Sequence, residues 1–101
     1  MDEFPEELAS CTGFEWDVGN AGKNRERHQV SDGECEQVFF QRPILIAPDT
    51  MHSRNEPRYA ALGQTADGRR LTIVFTIRGE AIRVISAQTM SRRERRIYER
   101  A

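Results

Sequence analysis

The sequence has few of the residues that build metal centres and disulfide frameworks. Its 101 residues include two cysteines, Cys11 and Cys35, and two histidines, His28 and His52. Two cysteines cannot form the dense disulfide framework of a small secreted domain. With only two cysteines and two histidines, a zinc site is not expected either. We therefore expect both thiols to be reduced, and we expect the protein to need neither a metal nor another cofactor.

Long hydrophobic runs are missing as well. No apolar segment approaches the roughly 20 residues that a membrane-spanning helix needs, so no membrane partner is expected. The first ten residues, MDEFPEELAS, are acidic and do not resemble a signal peptide, which favours the cytoplasm. A chain of this length, 38% hydrophobic and 31% charged, suits one folded domain. The sequence predicts this domain over residues 13–101, after an acidic extension over residues 1–12.

Lysine is nearly absent: Lys23 is the only lysine, whereas the chain has 14 arginines. The charges are also unevenly placed: residues 1–68 hold six Lys or Arg and 13 Asp or Glu, whereas residues 69–101 hold nine Arg and three Glu. A planar guanidinium can bind a phosphate through two hydrogen bonds at once. The basic end therefore suits a nucleic acid or an acidic protein partner, although SRRERRIYER is equally compatible with a solvated helix.

The first half of the chain carries helix signals. GFEW has the pattern of a short first strand, and Asp17 is placed to cap a helix over about residues 18–27. In SDGE, the Ser31 hydroxyl and the Glu34 side chain fit a capping box, which starts a second helix. That helix is expected to run through Phe39.

The second half has the alternating pattern of strands. Its four apolar segments are PILIA, RYAALGQT, RRLTIVFTI and EAIRVISAQ. Because short turns join them, an antiparallel meander is the natural arrangement. Ser91 and Glu94 form a second capping box at the start of a closing helix. The sequence therefore predicts an α+β fold: an antiparallel meander with two helices before it and one after it.

The last two strands predict a hairpin that carries two arginines near its turn. If Gly79 and Glu80 form a two-residue turn, Arg78 pairs with Ala81, and the next facing pair joins Thr76 to Arg83. Residues that face each other across two strands share one side of the sheet. Both arginines are thus expected to emerge on the same side.

Alternation along the hairpin assigns its two faces. The expected core face carries Leu71, Ile73, Phe75, Ile77, Ile82 and Val84. The opposite, half-polar face is expected to carry Thr72, Val74, Thr76, Arg78, Ala81, Arg83, Ile85 and Ala87. Two like charges on that face repel unless an anion lies between them. The alternative is that each arginine pairs with a carboxylate such as Glu56 or Glu36.

The chain from Phe14 to Glu99 also resembles a known family. FEWDVGNAGKNRERHQVS is similar to the opening of the BrnT toxins, in which a Trp-Asp start leads through a basic helix to a histidine. HSRNEPRYAALGQT and SRRERRIYE resemble the loop and the closing helix of that family, and GRRLTIVFTIRGEAIRVISA is the closest match. The residues that match the opening are Trp16, Asp17, Asn24, Arg27 and His28.

The resemblance implies a function as well as a fold. BrnT proteins are ribonuclease toxins of type II toxin–antitoxin systems, so a RelE-like fold and metal-independent RNA cleavage that inhibits translation are implied. A BrnA-like antitoxin with a DNA-binding domain is the implied inhibitor, in a hetero-oligomer that represses its own operon. DNA would then be contacted only through the antitoxin.

RNA cleavage without a metal requires proton transfer and stabilisation of a phosphorane. Arg78 and Arg83 suit the phosphorane, because guanidiniums placed in advance act where negative charge develops. Glu56 and His28 are the candidates for proton transfer, and Tyr98 is a candidate for base stacking or proton donation. A lone histidine is more often a structural hydrogen-bonding residue, and His52 in its polar loop is a weaker candidate still.

Further arginines are candidates for binding the RNA backbone. These are Arg58, at the start of a strand beside the hairpin, and Arg92, Arg93 and Arg96 on the closing helix. The alternative function is a catalytically weak binding module that serves only as antitoxin partner or co-repressor. Asn20 and Gln88, where the family commonly has basic residues, favour this alternative.

Overall fold

The computed structural model describes residues 6–51 and 55–101. His52 and the first five residues of the acidic extension lie outside these ranges. In chain order, the elements are a 3₁₀ helix (Glu6–Ser10), β1 (Gly13–Phe14), α1 (Lys23–His28), α2 (Asp32–Val38), β2 (Leu45–Pro48), β3 (Tyr59–Gln64), β4 (Arg70–Arg78), β5 (Ala81–Thr89) and α3 (Arg92–Glu99). This is the predicted α+β order.

One sheet of five strands, in the order β1-β5-β4-β3-β2, organises the domain. The pairs β2–β3, β3–β4 and β4–β5 are antiparallel, so the predicted meander is confirmed. The sequence left the pairing of the first strand open, and β1 pairs with β5 in parallel, so the sheet as a whole is mixed. The added strand satisfies backbone groups of β5 that would otherwise lie at a sheet edge: the Glu15 amide donates to the Ile82 carbonyl at 2.9 Å.

The hairpin turn has the predicted register. Arg78 is opposite Ala81, and Thr76 is opposite Arg83. Gly79 in the turn has a φ of 61°, which a residue without a side chain adopts at little cost. The local turn therefore places both arginines on one face of the sheet, as expected from the sequence.

A β-bulge changes the pattern further from the turn. The pairing passes over Ile85, so Ala87 lies opposite Ile73 and is fully buried. The expectation that Ala87 faces the half-polar side is therefore wrong. One extra residue in a strand reverses the side to which all later residues point.

The core lies between one face of the sheet and the helices α1 and α2. Of the residues predicted for this face, Leu71, Ile73, Phe75, Ile82 and Val84 are buried and Ile77 is half-buried. The Phe75 ring meets the Phe39 ring edge-on, with centroids 5.1 Å apart. α2 lies so close to β3 that a Cβ on Gly63 would be 2.6 Å from Val38 Cγ1, which a side chain could not tolerate.

The first helix is shorter than predicted. It begins at Lys23, and its N-cap is Gly22 with a φ of 72° and no capping side chain. Asp17 therefore does not cap it, and the expectation of a helix from residue 18 is wrong. Glycines weaken the helical state, and the chain before Lys23 forms turns instead.

Both predicted capping boxes are present. The Ser31 hydroxyl accepts the Glu34 amide at 3.1 Å while the Glu34 carboxylate accepts the Ser31 amide at 2.9 Å. Ser91 and Glu94 repeat this arrangement at the start of α3. Each box satisfies backbone donors that a helix leaves unpaired, so these helix starts are determined locally.

Two asparagine side chains cover the edge of β5 beyond the end of β1. Asn20 Nδ2 donates to the Val84 carbonyl at 3.1 Å, and Asn24 Oδ1 accepts the Ala87 amide at 3.0 Å. Both asparagines are buried. The segment that leads into α1, and α1 itself, thus run along β5 away from the hairpin turn.

α3 lies on the opposite face of the sheet, near the end of β4 that is far from the hairpin turn. There the Thr72 hydroxyl donates to the Glu94 carboxylate at 2.9 Å, and the Tyr98 hydroxyl donates to the Pro43 carbonyl at 2.7 Å. Arg70 lies over the Tyr98 ring, 5.8 Å from its centroid. None of the helices in the described ranges is long and apolar enough to cross a membrane.

Candidate active site

Arg78 and Arg83 converge on one carboxylate oxygen. Nη1 of Arg83 lies 2.9 Å from Oε1 of Glu15, and Nη1 of Arg78 lies 3.4 Å from the same atom. The two guanidiniums therefore share a face, as predicted, and an anion does lie between them. That anion is supplied by the protein itself, from the segment directly after β1.

Each arginine also has a carboxylate of its own. Glu56 accepts from Nε and Nη2 of Arg78 at 3.2 and 2.9 Å. Asp17 accepts from Nη1 and Nη2 of Arg83 at 2.9 and 3.1 Å. Such two-pronged pairs fix the plane of a guanidinium as well as its position. We call these five residues, Arg78, Arg83, Glu15, Asp17 and Glu56, the arginine–carboxylate cluster.

The expectation of carboxylate partners is thus met by Glu56 and not by Glu36. Glu36 instead accepts a hydrogen bond from the indole of Trp16 at 2.7 Å. The reason is that neighbouring side chains near β1 point to opposite faces of the sheet. The Trp16 side chain packs against the core, whereas Glu15 and Asp17 meet the arginines on the half-polar face.

The two arginines differ in their access to solvent. The Arg83 side chain is 11% exposed and the Arg78 side chain is 47% exposed. Hydrogen bonding to Arg83 lowers the pKa of Asp17, and hydrogen bonding to Arg78 lowers the pKa of Glu56. The pKa values of both arginines are raised, chiefly by hydrogen bonds to Asp17 and Glu56 respectively. At neutral pH this pairing favours the charged form of each of these four groups.

Asn20 holds the acidic side of the cluster in place. Its Nδ2 donates to the Glu15 carbonyl at 3.0 Å, and its Oδ1 accepts the Asp17 amide at 2.8 Å. The same Nδ2 group donates to the Val84 carbonyl of β5, the strand that carries Arg83. Asn20 therefore ties the two carboxylate residues to the strand that they face.

A loop positions Glu56 in a similar way. The buried Thr76 hydroxyl on β4 donates to the Pro57 carbonyl at 2.7 Å. The following residue, Arg58, is half-buried, and its charge contributes to lowering the pKa of Glu56. Of the site residues predicted from the sequence, the structure therefore brings together Arg78, Arg83 and Glu56, with Arg58 near them.

His28 and Tyr98 lie elsewhere. His28 is exposed in the last turn of α1, which runs away from the hairpin turn. Tyr98 is buried beside Arg70, and Arg70 and Arg78 are the two ends of β4, about 26 Å apart at the usual rise of a strand. Burial also raises the pKa of Tyr98.

The closing helix carries a second, different group of positive charges. Arg92, Arg93, Arg95 and Arg96 are exposed on α3, and none of them forms an ion pair or side-chain hydrogen bond with a residue in the described ranges. The hairpin arginines are paired with carboxylates, whereas these are open to a polyanion. The structure therefore separates an anchored arginine pair from an exposed basic helix.

An apolar cavity of about 610 Å³ lies beside the 3₁₀ helix. Its walls include Leu8, Phe14, Phe39, Phe40 and Ile44, and the Phe40 side chain is largely exposed. This cavity has no part in the arginine–carboxylate cluster.

Sequence reasoning missed Glu15, Asp17 and Asn20 as parts of the site. A signal for two of them was present, because Glu15 and Asp17 are two residues apart beside a predicted strand and can share one face. Nothing in the sequence indicated that this strand would pair with β5. Without that pairing, no partner could be assigned to either carboxylate.

The fold and the cluster define a small α+β domain in which two arginines on one face of the sheet share a carboxylate. The family model described as "Ribonuclease toxin, BrnT, of type II toxin-antitoxin system" matches residues 16–94. The chain belongs to this family. A comparison with individual curated proteins gives no match. Membership makes the protein a ribonuclease toxin of a type II system, with an antitoxin as its partner.

Proposed function

We propose that the protein is a metal-independent endoribonuclease with a RelE-like fold, which inhibits translation by cutting RNA in the cytoplasm. The observation that carries this proposal is the convergence of Arg78 and Arg83 on the single oxygen Oε1 of Glu15. Two guanidiniums that hold one carboxylate oxygen at 2.9 and 3.4 Å hold a phosphate oxygen by the same hydrogen bonds.

The reaction is an attack of the ribose 2′-hydroxyl on the neighbouring phosphorus. Charge builds up on the phosphorane oxygens, and two fixed guanidiniums stabilise it without having to reorganise. The removal of one such donor is expected to reduce the rate by about 10²- to 10³-fold, as at oxyanion sites. Guanidiniums supply the positive charge that a metal supplies in other nucleases, so a chelator is expected to leave cleavage unchanged.

Proton transfer is the second requirement. The sequence predicts Glu56, His28 or Tyr98 for this role, and of these only Glu56 belongs to the cluster. Arg58, whose charge helps to lower the pKa of Glu56, is proposed to contribute to the binding of the same phosphate. Arg92, Arg93 and Arg96 on α3 are proposed to bind the RNA backbone further along the strand or to bind the antitoxin.

The proposed antitoxin is BrnA-like and has a DNA-binding domain. An acidic or amphipathic segment of this partner would cover the basic surface and block access of RNA. The protein would then contact DNA only through the antitoxin, in a hetero-oligomer. The exposed arginines of α3 support such an interface because they have no carboxylate partner in the described residues.

A second candidate function is a catalytically weak binding module. It is favoured by the charge of the cluster, in which three carboxylates surround two guanidiniums. An RNA phosphate must replace at least one carboxylate at the guanidiniums before it can be cut. If an RNA phosphate cannot displace any of these carboxylates, the protein serves only as antitoxin partner or co-repressor.

The test compares wild type with Arg78→Ala, Arg78→Lys and Arg83→Ala, each freed from its antitoxin and given RNA, both free and on translating ribosomes. Arg69→Ala is the matched control, because Arg69 forms an ion pair with Glu34 outside the cluster. We expect both alanine variants to lose nearly all cleavage and growth inhibition. The lysine variant should regain part of it, since a point charge lacks the two-pronged geometry.

Three results would contradict parts of the proposal. Full toxicity of Arg83→Ala at wild-type expression, without antitoxin, would remove that residue from the mechanism. A wild-type protein that cuts neither kind of RNA, yet binds its antitoxin, would favour the binding module. Loss of cleavage in the presence of a chelator would overturn metal independence.

A further inference from the structure

The three carboxylates of the cluster are not equivalent. Asp17 and Glu56 each use both oxygens to bind one arginine. Glu15 uses Oε1 alone, and it shares that atom between Arg78 and Arg83. Its Oε2 accepts no hydrogen bond from any residue in the described ranges. Glu15 thus has a free basic oxygen directly beside the paired guanidiniums.

The backbone of Glu15 is held from both sides. Its amide donates to the Ile82 carbonyl at 2.9 Å, and its carbonyl accepts from Asn20 Nδ2 at 3.0 Å. Its side chain is 37% exposed, so a substrate can reach the carboxylate. A fixed backbone with an accessible carboxylate is the arrangement that a general base requires, because its distance to the substrate must be set before the reaction.

We propose that Glu15 is the general base of the cleavage reaction, an inference that rests on the ribonuclease function proposed above. When a phosphate binds between Arg78 and Arg83, the Glu15 carboxylate is left beside it, next to the ribose that carries the 2′-hydroxyl. The base and the anion site must be neighbours in this reaction, because the attacking oxygen and the phosphorus belong to the same nucleotide.

The reaction needs no reactant other than the RNA and water. The O2′–H bond breaks and its proton passes to Glu15, while the O2′ electron pair forms a bond to phosphorus. The bond from phosphorus to O5′ then breaks, and O5′ takes a proton from water. The products are a 2′,3′-cyclic phosphate and a 5′-hydroxyl end, and Glu15 returns its proton to solvent.

Geometry separates Glu15 from the other two carboxylates. Glu56 would have to give up one of its two bonds to Arg78 to accept a proton, and Asp17 would have to give up a bond to Arg83. Either loss would free a guanidinium that has to stay fixed for the phosphorane. Proton transfer to Oε2 of Glu15 costs no hydrogen bond of this kind.

The experiment compares Glu15→Gln with Glu80→Gln, a matched control that removes the same charge from an exposed residue in the hairpin turn. Cleavage is measured as kcat and KM, and affinity is measured separately with a 2′-O-methyl RNA that lacks the reacting proton. We expect Glu15→Gln to lower kcat by about 10²- to 10⁴-fold while the affinity for the methylated RNA is kept or increased. Glu15→Asp, which keeps the carboxylate, should recover part of kcat.

Other outcomes overturn the assignment. If Glu15→Gln cleaves faster than wild type, Glu15 only occupies the phosphate position and is not the base. If Glu15→Gln stays within about threefold of Glu80→Gln while Arg78→Ala is inactive, the ribonuclease function stands and Glu15 has no part in proton transfer. If wild type leaves RNA uncut, the proposed function itself fails. If it cuts RNA and leaves a 3′-hydroxyl end, the 2′-hydroxyl is not the nucleophile and Glu15 is not its base. Circular dichroism melts of all variants show whether a lost activity is a lost fold.

Discussion

Arg83 and Asp17 form a two-pronged ion pair that joins the hairpin to the segment after β1. Its two hydrogen bonds are 2.9 and 3.1 Å long, and 66 residues separate the partners in the sequence. The Arg83 side chain is mostly buried, so this pair belongs to the fold as much as to the candidate site. The more exposed Arg78 is therefore the cleaner position at which to test function without disturbing stability.

Asn20→Ala should both destabilise the protein and disturb the cluster. The buried amide makes hydrogen bonds to Glu15, Asp17 and Val84, and its removal leaves their backbone groups unsatisfied. Each such loss costs about 1–3 kcal/mol, so a decrease of at least that size in the free energy of unfolding is expected by urea denaturation. The exposed Asn55→Ala is the control, and equal stability of the two variants would contradict the role of Asn20.

Phe75→Ala should cost about 3 to 5 kcal/mol of stability. The ring is fully buried at the centre of the core, against Phe39 and Tyr59. This is a large share of the stability of a small domain, so part of the protein is expected to be unfolded at 37 °C. Val18→Ala, at a position that is 92% exposed, is the control. A thermal melt that does not change with Phe75→Ala would show that the core is assigned wrongly.

Stability should fall in acid because of the cluster. The pKa values of Asp17 and Glu56 are lowered in the folded protein by their hydrogen bonds to arginine. In the unfolded chain the pKa values of Asp and Glu are about 3.9 and 4.3. A carboxyl group whose pKa is lower in the folded protein stabilises the fold fully above its unfolded pKa. This stabilisation is lost as the pH falls through the pKa of the folded protein. The melting temperature should be nearly constant from neutral pH to about pH 5 and should decrease below about pH 4.

The double variant Asp17→Asn/Glu56→Gln should show a weaker dependence in that acid range, since its side chains no longer take up protons there. Asp67→Asn at an exposed position should behave like wild type. A double variant whose melting temperature falls as steeply as that of wild type would assign the acid sensitivity to other groups. One such group is Glu34, whose pKa is lowered mainly by its hydrogen bond with the Ser31 backbone.

The exposed arginines of α3 should make antitoxin binding sensitive to salt. Exposed charges are screened over about 10 Å at 0.1 M salt, so the affinity should fall as salt rises. Replacing Arg92, Arg93 and Arg96 by alanine should reduce that dependence, whereas replacing Arg25 and Arg27 on α1 should not. Titration calorimetry at several salt concentrations measures the effect. Affinity that does not change with salt would place the interface on apolar surface, for which the cavity beside Phe40 is the candidate.

Much of the structure was open to prediction from short segments of sequence. The capping boxes at Ser31 and Ser91 and the hairpin register at Arg78 were predicted correctly. In each case the residues that interact are neighbours in the chain, so residue type alone favours one conformation. The family resemblance was confirmed as well, because it rests on the same local motifs in the same order.

Tertiary structure decided what lies between the two arginines. The parallel pairing of β1 with β5 and the bulge at Ile85 both depend on contacts between separate segments of the chain. Local sequence preferences do not predict these features, because such contacts stabilise the protein only after the chain between the two segments has closed into a loop. The sequence by itself therefore determined that two arginines share a face. Only the folded chain determined that Glu15 lies between them and that Tyr98 does not.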